Sequence, residues 1–308
     1  MPIVLQESSR YLFYAPFYSA LALGAYQEEG VDVRFICADG SPYGRGAILS
    51  GAVDVAWGGP SRVISAYDND PASDLVCFCE VVTRDPFFLV GREPRPGLSL
   101  RDLKGLRVAT VSEVPTPWLC LQEDLRRAEI DPATLDRSSN HTMVENVARL
   151  KRGDVDVIQL FEPFVSELVN CGRGHVWYAG ADRGPTSFTT FYTRRSTLER
   201  RRDEFRSMVR AIYRTQKWIH ASEADRIARL ITGYFSDLSE AQVVSAVCRY
   251  KQFGIWGRDP RLPKAGFERL RASFISGRFI TRGVTYEQAV DNSLVEEVIA
   301  EAPLALVR

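Results

Sequence analysis

Four short stretches of this chain combine hydroxyls, aromatic rings and helix-opening prolines with few charges. That mixture suits the holding of a small molecule better than the breaking of one. They are residues 7–15, 57–61, 112–118 and 161–163. Ser9, Tyr11 and Tyr14 stand in the first, and Trp57, Gly58, Gly59 and Ser61 in the second. Ser112, Glu113, Thr116 and Trp118 stand in the third, and Phe161 and Glu162 in the fourth. In Gly58-Gly59-Pro60-Ser61 the glycines let a ligand approach the backbone, and a helix start exposes N–H groups with positive partial charge. An anionic or acceptor group fits there, although many strand-to-helix turns share this composition.

Trp57 and Trp118 are expected at matching edges of two halves, with Tyr11, Tyr14 and Phe161 adding flat faces for a planar ring or a hydrocarbon body. Packing in a core is the alternative for each of them. Glu162 sits between Phe161 and Pro163 at the end of an apolar run, where a lone carboxylate is costly to bury. A ligand amino group would satisfy it, as would an arginine or lysine partner or simple exposure.

Signatures of catalysis are thin. His141 and Glu145 have helical spacing but no third ligand nearby, so no metal site is expected. The chain has no G-x-S-x-G elbow, P-loop, H-E-x-x-H or strand-borne G-x-G-x-x-G. Cys120, one turn beyond the third loop, is the best candidate nucleophile, with a buried structural thiol as the favoured reading. No catalytic residue and no cofactor are assigned.

The elements that must position these loops repeat themselves. GAVDVAW at 51–57 returns as GDVDVIQ at 153–159, and Val31-Asp32 is echoed by Ile130-Asp131. The first half reads as a strand at 2–6, a helix from Pro16 stopped by Gly30, a strand at 31–38, a helix opened by Ser41-Pro42, and a strand over 53–57. Apolar runs at 75–82 and 87–92, parted by the Asp85-Pro86 turn, are expected to complete it. The cycle restarts with a strand at 107–111, helices at 117–129 and 143–151, and strands at 155–160 and 175–179. Residues 188–193 are expected to return the chain to the first lobe, and helices over 195–220, 224–235 and 240–252 to pack around it. The Arg200-Arg201-Arg202 run reads as a solvated helix face. The fold class is α/β: two lobes of similar build with a ligand cleft between them and a helical C-terminal section. The lobes are set at 1–95 and 96–187, with 188–308 returning to lobe one and adding the C-terminal helices. In open α/β sheets ligands bind at the carboxyl ends of the strands, so the site belongs between the halves.

With 308 residues, 45% of them hydrophobic, two cores can be filled. Lys plus Arg and Asp plus Glu stand at 39 each, which provides no field for nucleic acid or an anionic membrane. The longest apolar run, 11–26, is broken by Pro16 and Gly24 and is too short to span a bilayer, so no membrane insertion is expected. The six cysteines, none in a C-x-x-C pair, read as free thiols. Such a count leans toward a reducing compartment.

The phrases APFYSALALGAYQEEGVDV, GRGAILSGAVDVAWGG, DPFFLVGRE, LKGLRVATV and LKRGDVDVIQLFEPF together resemble the NMT1/THI5-like (SsuA-like) solute-binding proteins. The resemblance runs from about Pro2 to Ala221. It implies a two-lobed clam, the type II periplasmic-binding-protein-like fold, that captures a solute and presents it to an ABC permease, with contacts on the four loops. The aromatic loops and Glu162 point toward a heteroaromatic or nitrogen-bearing solute. A monomer in the periplasm is implied, while the lack of a leader in this chain and the six cysteines keep a cytoplasmic location open. Enzymes of the family, pyrimidine synthases and desulfinase-like lyases, are the alternative, as is a ligand-sensing module. The synthases use a histidine in the helix after the third strand, where this chain has Val63-Ile64-Ser65-Ala66-Tyr67. A desulfinase-like relative would need a cleft cysteine, which only Cys120 could supply.

Overall fold

The computed structural model describes residues 1–37 and 44–307, so Ala38 and the Ser41-Pro42 helix start lie outside the described residues. Ile3–Glu7 (β1) buries alternate side chains and runs parallel to Val33–Ile36 (β2) on one side and Val55–Gly58 (β3) on the other. Leu75–Val82 (β4) is buried at every position, as a strand covered on both faces must be. Thr189–Arg194 (β10) lies between β3 and β4, antiparallel to both. The sheet order is β2-β1-β3-β10-β4.

The second sheet is built the same way. Arg107–Ala109 (β6) is parallel to Asp136–Ser138 (β7) and Val157–Leu160 (β8). Phe88–Gly91 (β5) is antiparallel to β8 and to His175–Ala179 (β9), giving the order β7-β6-β8-β5-β9. The repeated phrases 51–57 and 153–159 lead into β3 and β8, the third strand of each sheet. One strand moves relative to the sequence reading. The run at 87–92, expected to complete the first lobe, supplies β5 of the second sheet, because a fully apolar strand pattern reports burial and not the sheet that provides it. Asp85-Pro86 is the crossing between lobes.

The chain crosses twice, at 83–87 and 180–188, and the crossings are hydrogen-bonded to each other. Thr186 N and Ser187 N donate to Thr83 O at 2.7 and 3.1 Å, and Gly180 N donates to Phe87 O at 2.8 Å. Arg183, with a side chain only 7% exposed, pairs with Asp85 of the first crossing and donates from Nε to Asp124 Oδ2 at 2.9 Å. Burial pushes the Asp85 carboxyl up, against the pull of the guanidinium.

Helices cover both sheets. Ala15–Ala22 (α1) and Ala25–Glu28 (α2) are separated at Gly24, whose φ of 66° suits a residue without Cβ. Gly44–Ser50 (α3) and Ser61–Asn69 (α4) flank β3 in sequence, and Thr116–Arg127 (α5), Met143–Arg152 (α6) and Phe164–Asn170 (α7) belong with the second sheet. The helix expected over 195–220 breaks into Arg195–Arg200 (α8) and Arg202–Ala221 (α9). Ala224–Ile231 (α10), Glu240–Gln252 (α11), Lys264–Ser276 (α12), Tyr286–Ala289 (α13) and Ser293–Ala300 (α14) follow. Among the described residues no helix is long and apolar enough to cross a membrane.

The arginine run is solvated at Arg200 and Arg202, as expected, but not at Arg201. Arg201 is 13% exposed and bridges Asp54 at 3.0 Å, while Arg202 pairs with Glu297 of α14. Arg202, Arg206, Arg210 and Arg214 recur every fourth residue along α9 and meet Glu297, Glu301, Glu29 and Glu28, strapping α14 and α2 to α9. The C-terminal section packs on lobe one through α9, α10 and α11, but it also reaches across. α12 packs on α5 and α11 touches α7.

Because Arg183 neutralises two largely buried carboxylates, Arg183→Met is expected to destabilise the protein by about 3–5 kcal/mol. Urea unfolding followed by circular dichroism measures this, and a loss below about 1 kcal/mol would show that the crossings do not depend on the pair.

Candidate functional site

The parallel strands β1, β3, β6 and β8 end toward the gap between the sheets, and the loops that follow them line a cavity of about 890 Å³. Ser8, Ser9, Tyr11, Phe13 and Tyr14 follow β1, and Gly59, Ser61, Arg62 and Ser65 follow β3. Lobe two contributes Glu113, Val114, Pro115, Thr116 and Phe161. The crossings add Phe87 and Phe188, α3 adds Gly46 and Leu49, and the C-terminal section adds Leu270 and Phe279.

Six rings form its floor as one connected cluster. Phe13 lies 4.5 Å from Tyr14 and 5.5 Å from Phe161, Tyr11 lies 4.8 Å from Phe161, and Phe87 lies 5.0 Å from Phe161 and 6.1 Å from Phe188. All of these pairs but the tilted Phe87–Phe188 meet edge to face, the arrangement that ring quadrupoles favour. Trp256 donates from Nε1 to Phe13 O at 2.9 Å, so the C-terminal section holds the floor in place.

Polar groups are few and directed. Tyr14 Oη lies 3.4 Å from Ser8 Oγ, and burial pushes its phenol up to about 12, which keeps it a hydrogen-bond donor at neutral pH. The starts of α1, α4 and α5 lie against the cavity, and none has a side-chain cap. Their N-terminal partial charges favour an acceptor or anion between them. Arg62 lies across Gly58, where an added Cβ would stand 2.8 Å from Arg62 Nε. Glu113 is largely committed to backbone, accepting from Met143 N at 2.8 Å and Ser112 N at 3.0 Å.

Of the residues named from sequence, Ser9, Tyr11, Tyr14, Gly59, Ser61, Glu113, Thr116 and Phe161 line the cavity, whereas Trp57, Gly58, Ser112, Trp118 and Glu162 do not. Trp57 is fully buried, stacked 4.7 Å from Phe17 and 5.3 Å from Phe35, because its position on β3 points the ring into the helix layer. Gly58 is a packing glycine beneath Arg62 and Tyr192. Ser112 is exposed and faces Glu113. Trp118 is not the counterpart of Trp57, since it stands on α5 rather than on a third strand. Its ring packs on the second sheet's cluster with the Arg137 guanidinium 4.2 Å above it.

Glu162 is the largest correction. Its carboxylate is fully buried but satisfied inside the protein, by Arg249 Nε at 2.6 Å, Ser166 Oγ at 2.8 Å and Ser166 N at 2.9 Å. Glu162 N also donates to Tyr250 Oη at 3.1 Å. Burial raises the carboxyl and these partners oppose the rise. Arg249 and Tyr250 belong to α11, so this is a tie between lobes and not an amine receptor.

Cys120 stands on the buried face of α5, and burial pushes its thiol up to about 12. No cysteine is among the described residues lining the cavity, and among the described residues no group of three or more His, Cys, Asp or Glu could hold a metal. Sequence reasoning missed Phe13 within its own loop and Arg62 and Ser65 on the helix that Ser61 opens. Phe87, Phe188, Leu49, Leu270 and Phe279 carry no local signal, since each reaches the cavity only through tertiary folding.

Two α/β lobes of equal topology, joined by paired crossings around a lined cavity, define a two-lobed binding-protein fold. The family model described as NMT1/THI5 like matches residues 13–224, and the chain belongs to that family. A relative from Bacillus subtilis (strain 168), YtlA, named only provisionally as a binding protein, is 26% identical over 97% of this chain and 90% of its own length. The periplasmic aliphatic sulphonate binding protein SsuA from Escherichia coli superposes with a TM-score of 0.74 at 17% identity, covering 94% of this chain and 97% of SsuA. The desulfurization enzyme DSZB superposes with a TM-score of 0.72 at 14% identity, over 98% of this chain and 100% of DSZB. The fold thus hosts both binding and catalysis.

Arg249→Met leaves a buried carboxylate without its cation and is expected to cost about 3–5 kcal/mol of stability in the unliganded protein. Glu162→Gln, which keeps the Ser166 contacts, is expected to cost less. Chemical denaturation of both variants checks the order, and wild-type midpoints for both would contradict the assignment of Glu162 to the tie.

Proposed function

We propose that the protein is the solute-binding component of an ABC-type importer, working as a monomer in the periplasm and delivering its solute to a membrane permease. The observation that carries this reading is the 890 Å³ cavity shared by two lobes. A solute there touches loops of both sheets and both crossings, so it favours the state in which the lobes are together. Two similar folds support the partner: SsuA from Escherichia coli, and a Staphylococcus aureus protein titled as the ligand binding component of an ABC-type import system.

The solute we assign is planar, aromatic or heteroaromatic, with an anionic or acceptor substituent. Its ring lies on the floor of Tyr11, Phe13 and Phe161, and the substituent meets the Tyr14 hydroxyl, Ser61, Thr116 and the helix starts. A ring nitrogen serves as the acceptor equally well. An ammonium group has lost its receptor, since Glu162 is held by Arg249. The role is binding without bond chemistry, supported by a cavity whose described lining offers hydroxyls, rings, one guanidinium and the backbone-bound Glu113 carboxylate but no thiol or imidazole.

Native mass spectrometry of the purified protein, followed by thermal-shift screening of aromatic acids, pyrimidines, flavins and sulfonates, identifies the solute through the stabilisation that binding confers. Tyr11→Ala is expected to weaken the best ligand about tenfold, from lost ring contact, and Thr116→Val by about 1 kcal/mol, from one lost hydrogen bond. Ligand recovered chemically altered after incubation would overturn the binding role, and unchanged affinity in both variants would remove the cavity assignment.

A further inference from the structure

The cavity is larger than a single substituted ring requires. Its volume falls in the upper part of the range of about 300–1,000 Å³ that encloses drug-sized ligands. Ser61 and Ser65, four residues apart on α4, both line it, so the wall extends about 6 Å along that helix beyond its start. Beside the six-ring floor, other segments of the chain supply further apolar wall. Leu49 comes from α3, Leu270 from α12, and Phe279 from the turn after α12.

Leu270 is buried, but Leu49 and Phe279 remain 45% and 42% exposed. Scattered apolar residues on a surface need no explanation, yet these two come from segments distant in the chain and line one cavity together with Leu270. Water wets them in the unliganded protein, and a hydrocarbon group laid between them would remove apolar area on both sides from solvent. Neither comes from the loops at the strand ends, so this part of the wall recognises something other than the planar head.

We infer that the solute carries an apolar arm several carbons long, which leaves the aromatic floor along α4 and passes between Leu49 and Phe279. The inference rests on the proposed binding of an aromatic head and makes these two residues selectors of chain length. The preferred solute is an elongated amphiphile and not a compact aromatic acid.

Calorimetric titration of the intact protein with benzoate, 4-propylbenzoate and 4-hexylbenzoate tests it. Affinity is expected to rise about two- to fourfold per methylene, the range from half to full burial of a CH₂ group. Phe279→Ser and Leu49→Ser, at two half-exposed positions, are each expected to flatten this rise, read within each variant as the ratio of 4-hexylbenzoate to benzoate affinity. Equal affinity across the series would overturn the arm and leave the aromatic head standing. A rise that survives both substitutions would overturn the role of these two residues, and a series in which no member binds would overturn arm and head together.

Discussion

Parallel strands deliver their carboxyl ends to one edge of a sheet, and the helices that follow must start there. That constraint, applied twice with the two edges facing, produces the site. β1 and β3 end in Ser8, Ser9 and Gly59, and the loops after β6 and β8 supply Thr116 and Phe161. The helix starts that face the gap turn the positive ends of their dipoles toward it, so the cleft is receptive to acceptor groups before any side chain is considered. Side chains then add selectivity, through rings drawn from both lobes and both crossings.

Each sheet receives its antiparallel strand from a crossing: β5 enters the second sheet after 83–87, and β10 enters the first after 180–188. Because each crossing feeds a strand that lies against β8 or β3, a change at the crossings is transmitted directly to the strand ends that carry the site. Arg183 binds the first crossing to α5 through Asp85 and Asp124. The C-terminal helices add two more ties, Arg249 to Glu162 at α7 and Ser276 to Glu123 on α5 at 2.7 Å. Separation of the lobes must stretch or break these contacts, so the lobes' relative position is under electrostatic as well as steric control. Arg249 is 18% exposed and Glu162 fully buried, a geometry in which loss of one partner harms more than the intact pair helps.

The candidate site was legible wherever local chemistry coincided with topology. Gly59 and Ser61, Thr116, Tyr11 and Tyr14 lie in loops whose turn residues and helix starts can be read directly. Trp57 misled because period-two alternation does not say which face of a strand meets the helices and which meets the cleft. Trp118 misled because an aromatic ring two residues into a helix can point toward either end of its sheet. Glu162 showed the ambiguity of a carboxylate at a buried strand end: something must neutralise it, but the partner lies 87 residues away on α11.

The sequence by itself determined that there are two α/β halves, that repeated phrases lead into equivalent strands, and which four loops lie at the strand ends. Those properties follow from local periodicity, turn chemistry and duplication, which survive in a linear reading. Only the tertiary structure decided that residues 88–91 belong to the second sheet, that Arg249 and not a solute answers Glu162, and that Leu49, Leu270 and Phe279 share one wall. These are contacts between segments distant in the chain, selected by packing and by neutralisation of buried charge, and no local pattern encodes which distant partner will arrive.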